Sequence, residues 1–142
     1  MKIKIVVIGN TKEKIYQSKI KEYLKWISKD IPIEIIYLKK ANNRKLNDKL
    51  KKYIDPNYFT ICLSENGIHQ NSKAFSSLIF KQNKQIIFFI GEHDGHSKIV
   101  KKSANQILSF SKMTMPHEMS LLFLCEQIFR AISIKKGSKY HR

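Results

Sequence analysis

The chain has 142 residues, 42% of them hydrophobic, with 27 lysines and arginines against 11 aspartates and glutamates, a formal net charge of +16. That length suits one domain able to bury a core without disulfides or metals, and the hydrophobic share excludes a disordered polyelectrolyte. The charge favours a polyanionic partner, although every cation except Arg44, Arg130 and Arg142 is a lysine and AT-rich coding would also produce such an excess.

The lysines are spread along the chain rather than gathered on one amphipathic segment, which argues against a membrane-surface role. The apolar runs Ile5 to Ile8, Ile86 to Ile90 and Leu121 to Cys125 are too short to span a bilayer. The chain opens on strand-like sequence without a signal-peptide pattern, so the expectation is a soluble, cytoplasmic protein. Cys62 and Cys125 sit in apolar contexts and read as reduced core thiols.

Lys2 to Ile8 is a β-branched run ending at Gly9, the pattern of a buried strand and a turn. Thr11 is placed to cap a helix that carries Ile15, Ile20, Tyr23, Leu24 and Ile27. Pro32 opens a second strand, Ile33 to Leu38. Ala41 to Ile54, with Leu46, Leu50 and Ile54 four apart, reads as a short surface helix. After the turn Asp55-Pro56-Asn57, Tyr58 to Leu63 forms a third strand, and Ser64 to Asn71 a loop. Ser72 starts a helix through Phe75, Leu78 and Ile79. Lys84 to Ile90 is the most hydrophobic strand and fits the centre of a covered sheet. A weak helix near Ser97 to Lys102, a short strand at Gln106 to Phe110 and a long amphipathic helix from His117 to Lys135 complete the chain.

The order βαβαβαβ(α)βα predicts a single α/β domain, a parallel sheet with helices on both faces. Ligands in such sheets bind beyond the carboxyl ends of the strands, which groups the loops Ser64 to Asn71, Gly91 to His96 and Ser109 to Pro116. His93, Asp94 and His96 lack a third ligand at a recognised metal spacing, so no metal is expected. Gly91 to Gly95 has neither the P-loop ending nor the dinucleotide glycine spacing. Phe88, Phe89, Phe123 and Phe129 read as core.

The stretch Leu108-Ser-Phe-Ser-Lys-Met-Thr-Met-Pro-His117, then Glu126-Gln-Ile-Phe-Arg-Ala131 and the ending Tyr140-His141-Arg142, closely resembles the RlmH family. The first strand reaching Gly9, Lys12-Glu13-Lys14, Glu22-Tyr23, and Leu63 with Gly67 beyond it agree with the same pattern. That family comprises SPOUT methyltransferases that use S-adenosylmethionine to methylate N3 of a pseudouridine in 23S ribosomal RNA. The resemblance spans essentially the whole chain. It implies a SPOUT fold with a C-terminal trefoil knot, a homodimer, and ribosomal RNA or the ribosome as partner.

Carried over position by position, the resemblance places cofactor contacts at Leu63, Gly91, Phe110, Ser111, Lys112, Met113, Thr114 and Met115. It gives His117 a part in substrate positioning or proton transfer, against the alternative of a helix-terminal histidine that organises its loop. Arg130 is assigned to substrate, or to an ordinary salt bridge. Tyr140 and His141 join the catalytic set, and Arg142 and Lys112 would hold RNA phosphate. Two positions depart from the family pattern: Glu92 stands where a second glycine is usual, and Leu121 where an arginine is. The stretch Lys39 to Leu50 is also shortened. The active enzyme therefore stands beside a second reading, a degenerate member that binds ribosomal RNA or assembly intermediates without methylating them.

Overall fold

In a computed structural model, which describes residues 1–91 and 95–142, the chain forms a five-stranded sheet between two layers of helices. The elements in order are β1 (Ile3–Ile8), α1 (Lys14–Ile27), β2 (Ile33–Leu38), α2 (Asn43–Lys51), β3 (Tyr58–His69), α3 (Ser72–Lys81), β4 (Gln85–Ile90), α4 (Lys98–Ser103), β5 (Gln106–Ser109) and α5 (His117–Lys136). All strand pairs are parallel and the order across the sheet is β2-β1-β4-β3-β5.

The two-residue period of strands explains the continuous apolar runs. Ile3, Ile5 and Val7 of β1, with Ile86, Phe88 and Ile90 of β4, face one core that α1, α3 and α5 cover. Their neighbours Val6, Ile87 and Phe89 face a second, smaller core closed by Leu50 of α2 and Val100 of α4. Strands buried on both faces must be apolar along their covered length, and β4 is from Ile86 to Ile90, after the exposed Gln85. Cys62 and Cys125 are free and buried, and burial pushes each thiol up to about 12, so both are inert packing residues. No helix among the described residues is long and apolar enough to cross a membrane.

Several local expectations are corrected. Thr11 does not cap α1; the N-cap is Glu13, and the Thr11 hydroxyl instead bonds the Tyr37 phenol at 3.2 Å. The second helix is limited to Asn43–Lys51, capped by the Asn42 side chain on the Lys45 N–H. Ser64 to His69 is not a loop. It continues β3 past a register shift, with Ile68 beside Leu108 and His69 beside Ser109. Phe123 is exposed rather than core.

The β3 continuation lies directly over β5. A Cβ on Gly67 would stand 2.6 Å from the Ile107 carbonyl oxygen and 2.7 Å from the Leu108 carbonyl carbon. Only a residue without a side chain lets the two backbones approach so closely. After β5 the chain turns through residues 110–116 into α5, which packs against α1 and α3. Gly137, in the left-handed conformation at φ 70°, ends α5 and releases the tail.

Candidate active site

The carboxyl ends of β1, β3, β4 and β5 converge on one edge of the sheet, where a cavity of about 110 Å³ opens. Leu63, Ser64 and Glu65 wall it from β3, Ile90 and Gly91 from the end of β4, and Gly95 and His96 from the following loop. The segment after β5 contributes Phe110, Ser111, Met113, Thr114 and Met115, and Ser120 comes from the first turn of α5.

Hydroxyl groups fix the shape of that segment. Ser109 donates to the Ser111 carbonyl at 2.9 Å, and Ser111 accepts from the Met113 N–H at 3.0 Å. Thr114 donates to the Glu65 carboxylate at 2.6 Å, tying the segment to the β3 continuation. Phe110 anchors the start of the segment between Phe123 and Phe75, with ring centroids 4.7 and 6.4 Å away.

Seven of the residues expected around a cofactor therefore surround one cavity: Leu63, Gly91, Phe110, Ser111, Met113, Thr114 and Met115. Lys112 is exposed and outside the lining. Sequence reasoning grouped the loops that carry Ser64, Glu65 and His96 at this edge but gave those three residues no individual role, having ended β3 at Leu63 and weighed His96 as part of a metal pattern. His96 Nε2 lies 2.6 Å from the Leu63 carbonyl oxygen, and burial lowers the ring's pKa from its ordinary value. His93 and Asp94 of that pattern, and Glu92, lie outside the described residues. Among the described residues no group of three His, Cys, Asp or Glu could hold a metal ion.

The remaining expected residues fall into two other places. His117, at the start of α5, has Nε2 3.0 Å from the Asn10 carbonyl oxygen, and a Cβ on Gly9 would come within 3.0 Å of the same nitrogen. A carbonyl only accepts, so this nitrogen carries the proton. The next residue, Glu118, accepts from the backbone N–H groups of Lys12 and Glu13. Together the two side chains latch the β1–α1 loop to α5.

At the far end of α5, Arg130 donates to Glu126 at 2.8 Å and its Nη1 lies 3.1 Å from His141 Nδ1. Its guanidinium lies 4.8 Å from the Tyr140 ring centroid, and the Tyr140 hydroxyl donates to Glu126 at 3.2 Å. The expected Arg130, Tyr140 and His141 thus form one cluster, with Arg142 exposed at its edge. Ser120 in the cavity wall and Arg130 in this cluster lie ten residues, about 15 Å, apart along α5.

Residues 1–141 match a family model described as a predicted SPOUT methyltransferase. The chain belongs to the SPOUT methyltransferase family. Among the relatives of this family member are proteins named ribosomal RNA large subunit methyltransferase H. The one from Caldicellulosiruptor bescii is 37% identical over 99% of each chain, and the one from Dictyoglomus thermophilum 38% identical over 99% of each. The Streptococcus sanguinis relative is 36% identical over the full length of both. The fold also resembles a probable methylase family protein from Haemophilus influenzae, with TM-score 0.63 and 11% identity over 99% of this chain and 70% of that one. The SpoU methyltransferase AviRb from Streptomyces viridochromogenes, solved in complex with AdoMet, gives TM-score 0.52 at 8% identity over 97% of this chain and 59% of that one.

Proposed function

We propose that this SPOUT protein transfers a methyl group from S-adenosylmethionine to N3 of a pseudouridine in 23S ribosomal RNA, acting as a homodimer in the cytoplasm. The observation that carries the reading is the charge of the cavity. In a chain of net charge +16, its described lining contains no lysine or arginine and one carboxylate, Glu65. Such a wall suits the sulfonium and ammonium cations of that cofactor, whose net charge is positive, whereas a phosphate-bearing cofactor would find no counter-charge. The Leu63, Ile90, Phe110, Met113 and Met115 side chains provide apolar surface for an adenine ring. The crossing of Ser64 to His69 over β5, with α5 emerging beyond it, supports a trefoil knot at this place.

When bound, the cofactor supplies an activated methyl group, so the protein's task is chiefly to position the acceptor nitrogen. Leu63 and Gly91 offer backbone groups to the adenosine, and Glu65 and Thr114 hold the segment that encloses it. With His117 Nε2 donating to Asn10, the nitrogen of that ring left to accept a proton is Nδ1. It takes the imino proton released as the base nitrogen gains its methyl. Lys112, exposed beside the cavity, and Arg142 contact RNA phosphate.

Calorimetric titration with S-adenosylmethionine tests the reading, with Thr114→Arg as the blocked-cavity variant. Saturable binding lost in the variant is expected, followed by methylation of ribosomes that lack the modification. A folded protein that binds ribosomes but no cofactor would replace the enzyme with the RNA-binding relic.

A further inference from the structure

A second and larger cavity, about 490 Å³, adjoins the first. Its walls come from the end of β1 at Gly9, from Lys12, from Lys39 and Lys40 after β2, and from Met115 and His117. Three features of this cavity point to one ligand.

Its charge is the reverse of its neighbour's. Three ammonium groups and no carboxylate are in its described lining, and the nearby Glu118 is engaged with the backbone of the β1–α1 loop. Its volume falls within the ~300–1,000 Å³ usual for sites that hold a small molecule or a nucleotide. Its wall is shared: Met115 lines both cavities, so a group bound in one lies beside a group bound in the other. The His117 and Glu118 latches hold the β1–α1 loop against α5, and so fix the backbone that carries Lys12.

We propose that this cavity is the site of the target nucleotide, its base against Met115 and His117 and its flanking phosphates on Lys12, Lys39 and Lys40. The inference rests on the methyltransferase reading of the neighbouring cavity and adds to it the RNA side of the site. A cationic cofactor and an anionic substrate are sorted by two adjoining walls of opposite charge. The lysines are point charges on flexible stems, which suits phosphate neutralisation without sequence readout.

The test compares Lys12→Glu and the double variant Lys39→Glu/Lys40→Glu with two controls of matching charge change, Lys51→Glu for the single variant and Lys51→Glu/Lys52→Glu for the double. The control residues are exposed at the carboxyl end of α2, toward the start of β3 and the opposite edge of the sheet. S-adenosylhomocysteine affinity is measured by calorimetry, ribosome affinity by sedimentation, and KM for ribosomes by methyl incorporation. Cofactor affinity should stay within about twofold, while the cavity variants raise KM at least ~10-fold and the controls do far less. Equal losses in cavity and control variants, or none in either, would overturn the proposal and leave only diffuse attraction. If the wild type binds ribosomes but no cofactor, the methyltransferase reading falls separately. Sedimentation then decides this site: selective loss in the cavity variants supports it, and equal loss removes it.

Discussion

The imidazole of His96 stands between Leu63 and Gly91. Its Nε2 is 2.6 Å from the Leu63 carbonyl oxygen, and its Nδ1 would be 3.2 Å from a Cβ on Gly91. A carbonyl accepts, so Nε2–H is the donor. The ring thereby competes for the Leu63 carbonyl that the proposed adenosine site offers. The remaining cavity, about 110 Å³, is small for a nucleoside-sized ligand. His96→Ala should therefore tighten S-adenosylhomocysteine binding by roughly threefold to tenfold, because each tenfold corresponds to ~1.4 kcal/mol, about one hydrogen bond not broken. Unchanged or weaker binding in calorimetry would mean that the ring does not compete for the site.

The same histidine gives a pH dependence. Burial is the largest influence and favours the neutral ring, lowering its pKa in the folded chain below the ordinary 6.5. The unfolded chain then binds more protons in that window, so stability rises with pH. The contribution is complete above about pH 6.5 and fades as pH falls through the lower, folded-state pKa. Thermal melts between pH 7.5 and 5 should show a decline in Tm that His96→Leu reduces. Parallel curves for the two proteins would assign the decline to other groups.

Glu65, on the β3 continuation, and Thr114, on the segment after β5, clasp the cavity, 49 positions apart in sequence and 2.6 Å apart in space. Thr114→Val keeps the side chain's volume and removes the donor. Because the pair is exposed, the loss should be modest, about 1 kcal/mol, or around fivefold in cofactor affinity. Titration of the variant with S-adenosylmethionine checks this, and an unaltered Kd would show that the segment keeps its shape without the clasp.

At Gly67 the constraint is steric. A methyl group there meets backbone atoms of Ile107 and Leu108 at 2.6–2.7 Å, and backbone cannot swing aside as a long side chain can. Gly67→Ala should destabilise the fold by about 1–3 kcal/mol. A Tm lower by roughly 3–10 °C is expected from differential scanning calorimetry. A melt within a degree of wild type would mean that the crossing opens more easily than its packing suggests.

The architecture was legible where periodicity reports it. β1 and β4 announced themselves because strands covered on both faces are apolar over most of their length, Lys4 and Gln85 being the exceptions, and each predicted helix was found. The extension of β3 was not legible, since Ser64-Glu65-Asn66-Gly67 is polar and turn-like and pairs only because β5 lies beneath it. Phe123 was misplaced for a related reason. Apolar residues run around most of α5, so the pattern could not say which side faces the core. The residues expected around the cofactor came from the family resemblance and the loop order, not from spacing. His96 and the three-lysine cavity join segments distant in sequence, and no one-dimensional pattern marks them.

The tail cluster yields a prediction about subunits. α5 has 20 residues and so extends about 30 Å, with His117 at its start and Arg130, Tyr140 and His141 gathered toward its end. Held there by Glu126 and Arg130, the tail is anchored about 15 Å along α5 from Ser120 in the cavity wall of its own chain. In the proposed homodimer, a tail that contacts substrate is then expected to come from the second subunit. A chain cut after Lys139 should melt near the wild-type temperature and bind cofactor normally, because residues 138–142 add little to the core. Its methylation of ribosomes should fall at least ~100-fold if tail contacts position the base. Mixing it with Thr114→Arg subunits decides the arrangement. Heterodimers pair one sound cavity with the other subunit's intact tail, and activity should return toward one site per dimer. If the mixture stays as inactive as its parents, each tail serves its own chain.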